Sequence, residues 1–112
     1  MLNRAEQLDR SFHALADPTR RGIVALLSRG PASVSEIARP LPMSLPAVLQ
    51  HLRLLEESGL VHSEKQGRVR TCRIDPEAVA ATETWLAQLR HHWEARLDRF
   101  EAHLVGVKNR GE

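Results

Sequence analysis

Apolar residues recur every three or four positions over most of the chain, which is the spacing of one face of an α-helix. This pattern predicts a first helix from Leu2 to Leu15. A second helix is predicted to begin at Pro18 after an Asp17 cap and to end at Gly30-Pro31, because proline suits a first helical turn and glycine a helix end. The side chains of this second helix that we expect to face the core are Ile23, Leu26 and Leu27.

Two further helices follow. Ser33 with Glu36 matches a capping box that starts a short third helix, and the prolines at 40 and 42 predict a tight turn after it. Ser44 then caps a fourth helix, and Gly59 ends it in a left-handed conformation. The predicted buried stripe of the fourth helix consists of Leu45, Val48, Leu52 and Leu55. The order helix, turn, helix is that of a DNA-reading unit.

A basic hairpin over about residues 60–74 and a long last helix complete the prediction. Asp75-Pro76-Glu77 is a strong helix start, and no Gly or Pro interrupts the chain from there to about residue 105. About 30 residues rising 1.5 Å each would span about 45 Å, which exceeds the width of so small a core. We therefore expect a second copy of the chain to cover the apolar stripe of this helix, with an intramolecular antiparallel pair as the alternative.

The predicted fold class is mainly α with a small β-hairpin wing: a winged helix-turn-helix that dimerises through its N-terminal and C-terminal helices. One domain is expected over residues 1–108, with a flexible tail at 109–112. The residues that we expect at the dimer interface are Leu8, Phe12, Leu86, Leu89, Trp93, Leu97 and Phe100.

Composition and charge narrow the class of protein. Hydrophobic residues make up 42% of the chain but aromatic residues only 4%, which favours an aliphatic, helical core. The formal net charge of +2 permits a nucleic-acid partner without requiring one. The single cysteine excludes an internal disulfide framework, and no segment resembles a secretory signal or approaches the roughly 20 apolar residues of a membrane span. We expect a cytoplasmic protein with no membrane partner.

The fourth helix and the hairpin carry the chemistry expected of a DNA reader. Gln50 projects away from the buried stripe and can pair twice with an adenine edge, while Ala47 can touch a thymine methyl group. Four basic residues within nine positions around Gly67 suit phosphate contact. The predicted contacts to double-stranded DNA are Ser44, Pro46, Ala47, Gln50, His51, Arg53, Lys65, Arg68 and Arg70. For His51 the alternative is that it buttresses the helix, and for the whole segment it is a solvated helix with a charged turn.

From about Phe12 to Ile74 the sequence resembles the ArsR family of bacterial winged helix-turn-helix repressors. The segments that carry the resemblance are ALADPTRRGIVALL, SVSEIARPL, PAVLQHLRLLEESGLV and the basic hairpin. The resemblance implies a dimeric repressor that binds its own operator. Many members have serine where this chain has Leu49, a position that helical projection places near the buried edge of the fourth helix.

A metal site is the main alternative that this resemblance raises. His91 and Glu94 share one helix face, and paired chains could bring such groups together around zinc or nickel. Zinc sensors of the family add an Asp-x-His motif ten residues upstream, where this chain has Ala78 and Ala80, and the third helix lacks the thiols of the arsenic-type site. We therefore expect no metal and no cofactor, and we interpret His91 and Glu94 as part of a solvated, salt-bridged helix face.

Two other readings compete with a DNA-binding repressor. An enzyme is not expected, because the sequence has no glycine-rich phosphate loop, nucleophile elbow or two-histidine zinc helix. A winged module that binds another protein through the exposed helix is the second alternative. Cys72, between two arginines, could favour a reactive thiolate, but a lone strand cysteine is usually inert. The sequence predicts a homodimeric repressor of an inverted-repeat operator, whose inducer is left open.

Overall fold

The computed structural model describes residues 3–110, and the elements follow the predicted order. In chain order they are α1 Arg4–Leu15, α2 Pro18–Leu27, β1 Ala32–Ser33, α3 Val34–Ala38, α4 Leu45–Glu57, β2 Val61–Gln66, β3 Val69–Ile74 and α5 Pro76–Arg110. Leu2 of the predicted first helix and positions 111–112 of the predicted tail lie outside the described residues. Asn109 and Arg110, also assigned to that tail, belong to α5, which extends beyond its predicted end near residue 105. The chain divides into two compact units after Ala81.

Side-chain caps start the first four helices. The Asp17 side chain accepts a hydrogen bond from the backbone of α2, and the Ser44 side chain accepts one from the backbone of α4. The predicted capping box at Ser33 is present, and a second box at Asn3 starts α1. Each cap satisfies a backbone N–H that the helix itself leaves without a partner. These local signals therefore account for where the four helices begin.

The core of the first unit is aliphatic. The buried apolar side chains are Ala14, Ile23, Leu27, Ala32, Ile37, Val48, Leu52, Leu55, Leu60, Val61 and Cys72. Two predicted core residues are not among them, because Leu26 is 37% and Leu45 53% exposed. The buried stripe of α2 consists of Arg20, Ile23 and Leu27, so Leu26 is displaced to its edge. Leu45 is the first residue of α4, and helical side chains lean toward the N-terminus, which carries this one past the end of the core.

The wing is a hairpin within a three-stranded antiparallel sheet of order β1-β3-β2. Gln66 is opposite Val69, so the hairpin loop consists of Gly67 and Arg68. Gly67 has a φ of 63° at the first loop position, where a two-residue hairpin favours glycine. The strand β1, which pairs Ala32 with Cys72, was not predicted, since two residues are too few to show an alternating pattern.

Cys72 lies in the central strand and is fully buried. Burial raises the pKa of its thiol, because the charged thiolate loses its hydration, and the charge of Glu56 acts in the same direction. Both effects oppose the reactive thiolate that neighbouring arginines would favour. Cys72 is therefore a small apolar core residue.

Asp75 connects the wing to α5. Its carboxylate accepts hydrogen bonds from the backbone N–H groups of Glu77 and Ala78, and its Oδ2 lies 2.7 Å from Nε2 of His62 on β2. The hydrogen bond with His62 and those backbone N–H groups lower the pKa of Asp75 by stabilising its charged form.

Among residues 3–110, no helix combines the length and apolar character needed to cross a membrane.

Candidate nucleic-acid interface

The helix α4 is anchored by one face and exposes the other. Val48, Leu52 and Leu55 are buried in the core, and Gln50, on the opposite side, is exposed as the helical projection predicted. Among the other predicted contacts of α4, Pro46 is exposed and Ala47 is half-buried. The Ser44 Oγ caps the helix by accepting from the Ala47 N–H at 3.4 Å. The amide of Gln50 therefore lies on the solvent-facing side of a helix whose opposite face is buried in the core.

The wing borders this exposed face. A groove of about 270 Å³ lies between α4 and the start of β3. Its lining consists of Leu49 from α4, Arg68, Val69 and Arg70 from the hairpin, and Ser33, Val34 and Ser35 from the start of α3. Lys65, opposite Arg70 in the hairpin, is also exposed. The structure therefore brings the exposed helix face and the basic hairpin loop to one continuous surface.

Leu49 is 42% exposed and does not lie at the buried edge, contrary to the projection. The groove between α4 and the wing remains open at this position, so no strand covers the leucine side chain. Leu49 was also absent from the predicted DNA contacts. Nothing in the sequence alone could have shown the groove, because its width depends on how the hairpin packs against the helix.

A polar network connects α4 to the wing. Arg70 Nε donates to Ser63 Oγ at 2.8 Å, and Ser63 Oγ in turn donates to Oε1 of Glu56 on α4. Arg70 also lies 3.7 Å from the same Glu56 oxygen. Sequence reasoning missed this network, because the three residues come from three different elements. It orients one predicted phosphate-binding arginine and holds the hairpin against the helix.

Arg53 has a similar acidic neighbour on its own helix. Its Nε lies 3.4 Å from Glu57 Oε1, and both side chains are more than half exposed. An exposed pair of this kind contributes at most about 1 kcal/mol. The guanidinium can therefore exchange the carboxylate for a DNA phosphate at little cost.

His51 faces the interior of the protein. Its side chain is only 20% exposed, and its Nδ1 lies 3.3 Å from Nη1 of Arg20 and 3.9 Å from Oδ2 of Asp17. The backbone N–H of Arg20 donates to Asp17 and, with the positive charge of the Arg20 side chain, lowers the pKa of Asp17. This position favours the buttressing role of His51 over a direct contact with DNA.

Arg20 is a buried residue whose role in positioning α4 sequence reasoning also missed. It is only 8% exposed, and it donates from Nε to the Ala14 carbonyl at 2.7 Å and from Nη2 to the His13 carbonyl at 3.1 Å. The guanidinium thus caps the carboxyl end of α1 while it contacts His51 of α4. The sequence contains one indication of this role: Arg20 lies on the same face of α2 as the buried apolar residues.

A direct contact joins α1 to the end of α4. Gln7 Nε2 donates to the backbone carbonyl of Ser58, the C-cap of α4. The same amide covers Gly59, whose φ of 83° gives the helix its left-handed end. Arg20 of α2 therefore connects α1 with the middle of α4, and Gln7 of α1 contacts the end of α4 directly.

The remaining candidates lie on α1 and α5. In α5, His91 and Glu94 are exposed, and Glu94 Oε1 lies 3.6 Å from Arg90 Nε. Within residues 3–110, no three His, Cys, Asp or Glu side chains are grouped so that they could hold a metal ion. Leu8 is half-buried on α1. The other predicted dimer residues, which are Phe12, Leu86, Leu89, Trp93, Leu97 and Phe100, are all exposed.

Comparison with known proteins supports this architecture. A sequence model of a helix-turn-helix domain matches residues 15–64. The HTH-type transcriptional regulator Rv2034 of Mycobacterium tuberculosis is 49% identical over 76 residues, which cover 68% of this chain and 71% of that protein. A crystal structure of an ArsR family transcriptional regulator superposes with a TM-score of 0.77 at 52% identity, covering 84% of this chain and 97% of the other. The chain belongs to the ArsR family.

Two further similarities agree with this family assignment. The arsenical resistance operon repressor of Escherichia coli is 38% identical over 93 residues, covering 81% of this chain and 76% of that protein. The solution structure of a homodimeric winged helix-turn-helix DNA-binding domain from Mycobacterium bovis has a TM-score of 0.63 at 29% identity and covers 78% of this chain and 82% of the other. This ArsR-family member is a transcriptional regulator with a winged helix-turn-helix fold.

Proposed function

We propose that this regulator is a homodimeric repressor that acts in the cytoplasm on an inverted-repeat operator, with its own promoter as the first candidate. In each subunit α4 enters the major groove and the wing holds the flanking backbone. The observation that carries the proposal is the continuous surface on which the exposed face of α4 meets Arg68 and Arg70 of the hairpin.

The roles of the surface residues follow from their chemistry. Gln50 reads a base edge, since an amide can donate and accept in the major groove. Ser44, Pro46 and Ala47 line the approach at the start of the helix, and Arg53 lies at its edge. The side chains proposed to bind phosphate are Lys65, Arg68 and Arg70. His51 is a positioning residue that orients α4 through Arg20.

The case for a second copy rests on where the aromatic residues lie. The chain has two Trp and two Phe, and all four are between 37% and 64% exposed. Large aromatic side chains are enriched at protein interfaces. The proposed interface consists of Leu8, Phe12, Leu86, Leu89, Trp93, Leu97 and Phe100.

The apolar stripe of α5 has the regularity of a helix that packs along its length. Leu86, Leu89 and Trp93 are each followed eleven positions later by an apolar residue, Leu97, Phe100 and Leu104 respectively. Eleven residues make three helical turns, so the stripe stays on one side of a nearly straight helix. A second α5 can therefore cover it without strong supercoiling.

Salt dependence tests the phosphate contacts. An Arg68→Ala variant is expected to bind its operator with a slope of log K against log salt that is smaller by about one, because one fewer counterion is released. Fluorescence anisotropy with labelled duplex between low and physiological salt measures the slope. Arg99→Ala, which removes an exposed arginine of α5, is the matched control and should leave the slope unchanged. Equal affinity for operator and random duplex at every salt concentration would contradict specific regulation.

Base preference tests the role of α4 as the DNA-reading helix, called the reading helix below. A Gln50→Ala variant is expected to lose about 1–3 kcal/mol of binding to the preferred sequence and to tolerate substitutions at one base pair of each half-site. Competition with duplexes that carry single base changes measures this. Gln88→Ala, which removes an exposed amide of α5, should leave the preference unchanged. If Gln50→Ala keeps the wild-type preference, Gln50 does not read a base.

A further inference from the structure

An exposed leucine next to Gln50 is the feature of the reading helix that the proposed contacts leave unexplained. Leu49 is 42% exposed and lines the groove between α4 and the wing. On the far wall of the same groove, Val69 is 53% exposed. Two large apolar side chains thus line one open groove, and their exposure to water has a free-energy cost that a ligand covering them would remove.

The surroundings of this apolar pair are cationic. Arg68 and Arg70 flank Val69 on the hairpin and line the groove, and Arg53 follows Leu49 one turn later on α4. The acidic groups nearby are all engaged with other groups: Glu56 with Ser63 and Arg70, Glu57 with Arg53, and Glu36 with Ser33 in the capping box of α3. An apolar protein surface would offer no negative charge to these guanidinium groups. A DNA duplex supplies phosphates for the arginines and, in its major groove, one apolar group, the thymine methyl.

We propose that Leu49 determines sequence specificity by packing against the 5-methyl group of a thymine in the major groove. The proposal rests on the DNA-binding function proposed above and adds a second reading residue to it. Leu49 and Gln50 are consecutive and both exposed, so the thymine lies beside the base pair that Gln50 reads. The discrimination has a simple cause: a leucine gains by burying a methyl group, whereas against the amino group of cytosine it only displaces water from a hydrogen-bond donor.

Uracil substitution isolates this contact, because uracil differs from thymine only by the missing methyl group. The probe is a 30-base-pair duplex selected by the wild-type protein from a random pool, in which each thymine is replaced singly by uracil. At one thymine in each half-site, we expect the wild-type protein to bind about fourfold more weakly to the uracil duplex, which corresponds to the burial of one methyl group. All base pairs and phosphates of the duplex are retained.

Two variants assign the effect to Leu49. Leu49→Ala should bind the thymine and uracil duplexes equally, since it has no side chain that reaches the methyl group. Leu26→Ala removes an exposed leucine from α2 and should keep the fourfold difference. Circular dichroism of each variant checks that the helices are retained.

The possible results separate the two proposals. If no uracil position weakens the wild-type protein, or if Leu49→Ala remains as sensitive as the wild type, then Leu49 does not read a methyl group. An equal loss of affinity by Leu49→Ala for every duplex would assign Leu49 to packing of the wing and would also overturn the inference. If the wild-type protein selects no sequence from the pool, the DNA-binding proposal itself fails.

Discussion

A Trp93→Asp variant is expected to be a monomer and to bind an operator duplex at least about 100-fold more weakly than the wild type. Trp93 is 64% exposed and lies in the middle of the apolar stripe of α5. A carboxylate at this position would be buried without a partner in the proposed interface, which is strongly unfavourable. A monomer can engage only one half-site, so the gain from linking two reading helices is lost.

His91→Asp is the control for this variant. His91 is exposed two residues earlier and, at about 100° per residue, projects from the opposite side of α5. It should remain a dimer with wild-type affinity. Sedimentation equilibrium measures the mass, and a mobility shift on operator duplex measures the binding. A dimeric Trp93→Asp protein, or a monomeric one that binds as tightly as the wild type, would contradict the proposed assembly.

An Arg20→Ala variant is expected to lower the free energy of unfolding by at least about 3 kcal/mol, because hydrogen bonds to a charged group contribute about 1.5–3 kcal/mol each. Arg20 is buried, and its loss leaves the carbonyls of His13 and Ala14 without this donor. It also leaves His51 without the group that orients it. Urea denaturation followed by circular dichroism measures the change.

Arg21→Ala is a neighbouring control that separates burial from charge. Arg21 is exposed, and its side chain donates from Nη1 to the Leu15 carbonyl at 2.8 Å. Its removal should cost less than about 1 kcal/mol. If the two variants lose the same stability, the buried contacts of Arg20 do not hold α1 and α4 together.

The parts of the fold that could be predicted are those determined by residues close together in the sequence. The caps at Asp17, Ser33 and Ser44 and the left-handed end at Gly59 are each specified within a few positions, so the starts of three helices and the end of α4 could be read directly. The wing was equally visible, because Gly67 breaks a run of basic and β-forming residues.

The parts that were not predictable depend on packing between elements. A helical projection placed Leu45 inward and Leu49 near the buried edge, but the helix end and the open groove beside the wing leave both exposed. The contacts of Arg20 likewise require α1 and α4 to be in place. In each case the sequence shows on which face of its helix a residue lies. It does not show which other element packs against that face.

Gln7 of α1 and Arg20 of α2 together connect α1 with the reading helix α4. Arg20 contacts the middle of α4 and Gln7 contacts its end, so we expect a rotation of α1 to shift the side chains that are proposed to meet the bases. Leu8 and Phe12 of α1 belong to the proposed dimer interface. We therefore expect a change in the packing of the two subunits to change which bases α4 can contact. An inducer that weakened the contacts between the subunits would then release the operator without binding near Gln50.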